Sequence, residues 1–125
     1  MSNVDNRILL VEDDPDGQQV MATILRHLNI SIDIASDSGE AEQFLFHSDT
    51  IYTAAIIDLA LPDKDGWELL SEIMHNPETA NLPCIAVTAF HTSKLRADAI
   101  GAGFKAYFAK PINAAKLASE LEAVL

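Results

Sequence analysis

The stretch Ala54-Ala55-Ile56-Ile57-Asp58-Leu59-Ala60-Leu61-Pro62-Asp63-Lys64-Asp65-Gly66 decides the fold. Its first four residues are apolar without alternation, the pattern of a strand covered on both faces in a parallel sheet. It stops at a carboxylate, and the Pro, Asp and Gly residues that follow mark a loop. Other apolar runs likewise stop at an ionisable or hydroxyl residue. Ile8-Leu9-Leu10-Val11 ends at Glu12-Asp13-Asp14, Ile85-Ala86-Val87 at Thr88, and Ala106 to Ala109 at Lys110-Pro111. Ile30-Ser31-Ile32-Asp33-Ile34 alternates, as expected of an edge strand covered on one side.

Segments of helical period lie between these runs. Asp14-Pro15 reads as a helix start, with a carboxylate cap and proline at the first helical position. Val20, Ile24 and Leu28 then share a face, with Met21 and Leu25 beside it. Asp37 or Ser38 caps a second helix with Ala41, Phe44 and Leu45 inward. A third carries Leu69, Leu70, Ile73 and Met74 and ends at Asn76-Pro77. A fourth carries Leu95, Ala99 and Ile100 and closes at Gly101 or Gly103. Asn113 caps a fifth with Leu117, Leu121 and Val124 on one face. Strand and helix alternate five times, which predicts an α/β chain with a parallel sheet and helices on both faces. That is too short for an eight-fold barrel, so a doubly wound flavodoxin-like (βα)5 sheet of order 2-1-3-4-5 is expected, as one domain over residues 1–125.

Composition narrows the function. The 125 residues are 49% hydrophobic and carry a formal net charge of −11. Such a chain is repelled by phosphate backbones, so direct nucleic-acid binding is not expected. No apolar run approaches the ~20 residues of a membrane span, and the polar start Met1 to Asn6 lacks a signal-peptide pattern. A cytoplasmic protein with no membrane partner is expected. The lone Cys84 lies in the apolar run Pro83 to Val87 and reads as a buried small hydrophobe.

Open α/β sheets bind ligands at the carboxyl ends of their strands, where strand order reverses. Glu12, Asp13, Asp58, Thr88 and Lys110 all stand at those ends. In the order 2-1-3-4-5 the crevice falls between the first and third strands, so Glu12, Asp13 and Asp58 converge. Their mutual repulsion is relieved by a cation, and a donor set of hard oxygens favours magnesium, with manganese possible, over zinc. Lys110 is placed to neutralise Asp58 and later to hold a phosphoryl oxygen, and the Thr88 hydroxyl to donate to another. A carboxylate nucleophile, a metal, a lysine and a hydroxyl make a kit for phosphoryl transfer to an aspartate.

Four motifs, Ile8 to Asp14, Ile57 to Gly66, Val87-Thr88-Ala89 and Ala102 to Pro111, each sit at a strand end in the right order. Over essentially its whole length the chain resembles the receiver domains of two-component response regulators. The resemblance implies that Asp58 is the phospho-acceptor. Asp13 is a direct metal ligand, Glu12 acts through water, and the backbone carbonyl of Ala60 completes the protein's ligands. Thr88 is the switch hydroxyl, Tyr107 the coupled switch aromatic, Lys110 the partner lysine, and Lys110-Pro111 a cis peptide. The donor would be a histidine kinase or histidine phosphotransfer protein, and catalysis would be confined to the chain's own phosphorylation and dephosphorylation. Output would pass to a downstream protein through the face of the fourth helix, fifth strand and fifth helix, including Lys94, Leu95, Arg96, Ala99, Lys105, Tyr107 and Lys116. A phosphorylation-dependent dimer is compatible with that scheme. Ala60 and Phe90 replace polar residues common at positions that, in the family, govern acyl-phosphate hydrolysis, so slow self-dephosphorylation is expected.

Other readings compete. A flavin carrier needs a hydroxyl- and glycine-rich loop after the first strand, where Glu12-Asp13-Asp14 would repel phosphate. An aspartyl phosphohydrolase needs an acid or base at Ala60. A degenerate receiver that only binds proteins would not need the complete residue set. Asp14 reads as a cap, Asp63 and Asp65 as solvated loop carboxylates, and Trp67 as a partly buried helix anchor. Tyr107 has a plain alternative as a packed aromatic. His27, His47, His75 and His91 read as surface or packing residues, although His91 lies near Thr88.

Overall fold

The computed structural model describes residues 6–125. The reading of the N-terminus as free of a signal-peptide pattern falls largely on residues 1–5, outside the described residues. The elements alternate as β1 (Arg7–Val11), α1 (Pro15–His27), β2 (Ser31–Ala35), α2 (Ser38–Phe46), β3 (Ala54–Asp58), α3 (Gly66–His75), β4 (Cys84–Thr88), α4 (Ser93–Ala102), β5 (Ala106–Ala109) and α5 (Ala114–Val124). Among the described residues one sheet contains all the strands, each pair parallel, in the order β2-β1-β3-β4-β5. The uninterrupted apolar runs β3 and β4 are buried along their full length, whereas β2, at the edge, is only partly covered.

The sheet divides the core into two layers. Leu9, Val11, Ala55 and Ile57 pack on one face with Leu45 of α2, Leu69 and Ile73 of α3 and Ala99 of α4. Ile8, Leu10, Ile56 and Ile85 pack on the other with Met21 and Leu25 of α1 and Leu117 and Leu121 of α5. Side-chain alternation along each strand sends neighbours to opposite layers.

The caps are polar side chains, at the expected positions for α1, α2 and α5 and at Thr92, which the pattern did not single out, for α4. Asp14, Asp37, Thr92 and Asn113 each accept a backbone N–H from the first turn of α1, α2, α4 and α5. Such a cap contributes about 1 kcal/mol. Gly103 ends α4 with φ of 126°, a left-handed conformation that glycine adopts without strain.

Several helix faces differ from expectation. In α1 the buried row is Met21, Ala22 and Leu25, while Val20 and Leu28 are exposed. Both rows are apolar, so periodicity alone left the rotation of the helix open by one residue. Met74 and Ile100 are likewise half-exposed at the rims of their helices.

Candidate functional site

Register builds the site. Val11 pairs with Ile57, so Glu12 and Asp58 are the next residues on adjacent strands. Asp58 pairs with Val87 and Thr88 with Ala109, which puts Thr88 and then Lys110 at the same end of the sheet. Glu12, Asp13 and Asp58 offer carboxylate oxygens that lie within 4.8 Å of one another. Glu12, Asp58 and Thr88 are buried, and Asp13 stands exposed at the mouth. Lys110 Nζ donates to Glu12 Oε1 at 2.5 Å and to Asp58 Oδ2 at 2.9 Å. The other Asp58 oxygen, Oδ1, accepts the Ala60 backbone N–H at 2.9 Å. The Thr88 hydroxyl accepts the Phe90 N–H at 3.0 Å and keeps its proton for another acceptor. Lys110-Pro111 is cis.

Charge at this end is unbalanced, with one ammonium facing three carboxylates. Burial raises the pKa of Glu12 and the nearby Asp58 adds to the rise, while the Lys110 bond opposes both. On Lys110 burial disfavours the charge, but the bonds from Glu12 and Asp58 outweigh it and raise the pKa. The donors are hard oxygens only, and part of the set opens to solvent. That fits an ion such as magnesium, which retains water and takes few protein ligands.

Tyr107 lies apart from this cluster. Its register partner is Ala86, and its ring is buried in the layer that contains Ala99. The hydroxyl reaches His91 instead, Oη to Nδ1 at 3.0 Å. Ala99 and Tyr107 are therefore inside the expected output face, while Lys94, Arg96, Lys105 and Lys116 are exposed on it. Trp67 packs edge-on against Phe104 with centroids 5.9 Å apart, as an anchor of α3. Cys84 is buried and its thiol is pushed up to about 12 by desolvation, which leaves it inert.

Asp63 and Asp65 are more than solvated carboxylates. Asp65 caps α3 through the Glu68 N–H. Asp63 accepts the Ser38 and Gly39 N–H groups, both at 3.0 Å, and so ties the β3–α3 loop to the first turn of α2. Ser38 Oγ donates to the Lys64 carbonyl, and Lys64 Nζ bridges Glu42 and Glu72. Helix-start amides attract carboxylates, but no local pattern indicates that the attracted residue lies 25 positions away.

Two glycines also shape the site without a motif of their own. A Cβ on Gly66 would lie 2.6 Å from the Asp58 carbonyl, so the loop closes onto β3 only because that residue is glycine. A Cβ on Gly17 would lie 2.7 Å from Glu12 Oε1. Gly17 thus gives the longer Glu12 side chain room beneath α1. Gln18 Nε2 fixes the same segment by donating to the Glu12 carbonyl at 2.7 Å.

Fold and site together define a doubly wound α/β protein with an acidic, lysine-bridged cleft at the reversal of strand order. The chain belongs to the response regulator receiver domain family, whose family model matches residues 8–122. It is 32% identical over 118 residues to the response regulator RppA of Synechocystis, covering 94% of this chain and 50% of that one. It therefore spans about half the length of that curated relative. Among solved structures it resembles the receiver domain of the sensor histidine kinase PA1611 from Pseudomonas aeruginosa, with TM-score 0.85, 32% identity and 96% and 97% of the two chains covered. That receiver has a magnesium ion coordinated in its active-site cleft. A two-component response regulator from Clostridium difficile superposes with TM-score 0.85 at 27% identity, covering 96% and 95%. As a receiver domain the chain is a component of two-component signalling and a switch rather than a classical enzyme. Among the described residues no helix is long and apolar enough to cross a membrane.

Proposed function

We propose that this chain is a phosphorylation-dependent signalling switch that accepts a phosphoryl group on Asp58. One observation carries the reading: a buried aspartate, held by Lys110, shares a pocket with two further carboxylates. Glu12, Asp13, Asp58 and the Ala60 carbonyl would hold a magnesium ion, with manganese chemically equivalent in this donor set. When bound, the ion offsets carboxylate repulsion and neutralises charge on the phosphoryl group.

The residues divide the work. Ala60 N–H and Lys110 orient the Asp58 carboxylate for attack on phosphorus. The bond from phosphorus to the donor nitrogen breaks as the Asp58 O–P bond forms. Lys110 and the Thr88 hydroxyl then donate to phosphoryl oxygens. The phosphoryl group brings about −1.5 to −2 charge. Drawing Thr88 toward it shifts the β4–α4 loop, to which Tyr107 is bonded through His91. The α4–β5–α5 face changes in turn, which is a population shift driven by local charge.

The donor is the phosphohistidine of a histidine kinase or phosphotransfer protein, and the recipient of the signal is a downstream protein that docks on the α4–β5–α5 face. The domain spans residues 1–125 and acts in the cytoplasm. The test is uptake of phosphoryl from acetyl phosphate with magnesium. Wild type gains one phosphoryl group, whereas Asp58→Asn gains none and keeps its circular dichroism. Persistent labelling of that variant overturns the assignment.

A further inference from the structure

We propose that His91 is a positioning residue for Tyr107, holding its hydroxyl in the buried pose and releasing it when the imidazole is protonated. The inference rests on the switch reading above but invokes a residue outside the phosphoryl site. His91 and Tyr107 are joined by the 3.0 Å bond between Nδ1 and Oη, and their rings stand 5.5 Å apart at 51°. The histidine is exposed on the β4–α4 loop, and the tyrosine is buried on β5. The pair therefore couples the loop that follows Thr88 to the strand that precedes Lys110.

Hydrogen-bond capacity sets the polarity of the contact. A neutral imidazole has one acceptor nitrogen and one N–H. Burial raises the pKa of the phenol and keeps it protonated, although the Arg96 charge and the nearby Thr92 backbone N–H act the other way. The phenol proton needs an acceptor, and His91 Nδ1 is the one within reach. Protonating His91 turns that nitrogen into a donor. The phenol proton then loses its acceptor, and the imidazolium adds positive charge to a crowded place. The surrounding cavity, about 380 Å³, is lined by Arg96 of α4, Tyr107 of β5, and Lys116 and Glu120 of α5. Among the described residues Glu120 is the one carboxylate lining that cavity with Arg96 and Lys116.

The experiment follows the ring resonances of fluorinated tyrosine by NMR from about pH 8 to about pH 5, with Tyr52 at the opposite end of the sheet as internal control. In wild type the Tyr107 signal moves from its buried position with the same midpoint as the His91 imidazole, and Tyr52 stays still. In His91→Gln, whose amide oxygen accepts but does not titrate, the buried signal persists across the range. In His91→Ala the buried signal is lost at every pH. A Tyr107 signal that ignores the His91 titration, or that is unchanged in His91→Ala, overturns the proposal. Adding beryllofluoride and magnesium at high pH separates the two ideas. If Tyr107 ignores that phosphoryl mimic while still following His91, the switch reading fails and the pairing stands.

Discussion

The two ends of the central sheet hold similar chemical parts in opposite balance. At the amino end, Arg7 Nη1 donates to Asp33 Oδ1 at 2.8 Å and the Tyr52 hydroxyl donates to Asp33 Oδ2 at 2.7 Å. One cation meets one carboxylate, and the second oxygen is satisfied by a hydroxyl. At the carboxyl end, one lysine meets Glu12 and Asp58, with Asp13 beside them. The balanced cluster completes itself and has nothing left to bind. The unbalanced one retains negative charge in a partly buried cleft, which a cation relieves. At the two ends of this sheet, charge left over in a buried cleft, not polarity as such, separates the candidate site from a closed cluster.

Removing the cation from each end should separate them most strongly. In chelator, Lys110→Ala should lose about 2 kcal/mol in urea unfolding, because two buried carboxylates are left facing each other. Magnesium should restore more stability to that variant than it gives wild type. Arg7→Ala should lose about 1 kcal/mol or less, since the Arg7–Asp33 pair is partly exposed, and magnesium should not rescue it. Equal magnesium responses would break the comparison.

A subtler change probes the space around Glu12. Gly17→Ala should weaken magnesium binding by about tenfold, as changes to groups supporting a metal site do. The double variant Gly17→Ala with Glu12→Asp should recover, because the shorter side chain avoids the new Cβ. A purely helical effect would instead stabilise α1 and leave affinity alone.

Hydrolysis gives the next contrast. Ala60 and Phe90 present no group that orients water, so the purified phosphoprotein with magnesium should persist beyond seconds, and Ala60→Asn should shorten its life severalfold. A lifetime of seconds in wild type would contradict this. A further contrast lies at the amino end. Tyr52→Phe should cost about 1 kcal/mol and leave phosphoryl uptake unchanged. Burial, with Asp33 beside it, raises the Tyr52 pKa above its ordinary 10.0. That contribution is complete below about pH 10 and is lost as pH rises further. Wild-type stability should therefore fall more steeply in strong alkali than that of Tyr52→Phe.

How far the sequence carried the reading differs between strands, helices and loops. The unalternating Ala54–Ile57 run and the alternating Ile30–Ile34 run placed the centre and edge of the sheet, because burial on two faces or one writes itself into consecutive residues. Strand-end positions then brought Glu12, Asp13, Asp58, Thr88 and Lys110 to one end. The rotation of α1 stayed open because two adjacent rows were apolar. Asp63 on the amides of α2, Gly17 beneath Glu12 and His91 against Tyr107 join residues distant in sequence or depend on one missing methyl group. No periodicity encodes them.

The most direct test of the charge-balance account is a magnesium titration followed amide by amide in NMR. The account predicts saturable shifts at residues 12–13, 58–60, 88 and 110, lost in Asp13→Asn and retained in Asp33→Asn. Shifts centred on Arg7, Asp33 and Tyr52, or no saturable response at millimolar magnesium, would contradict it.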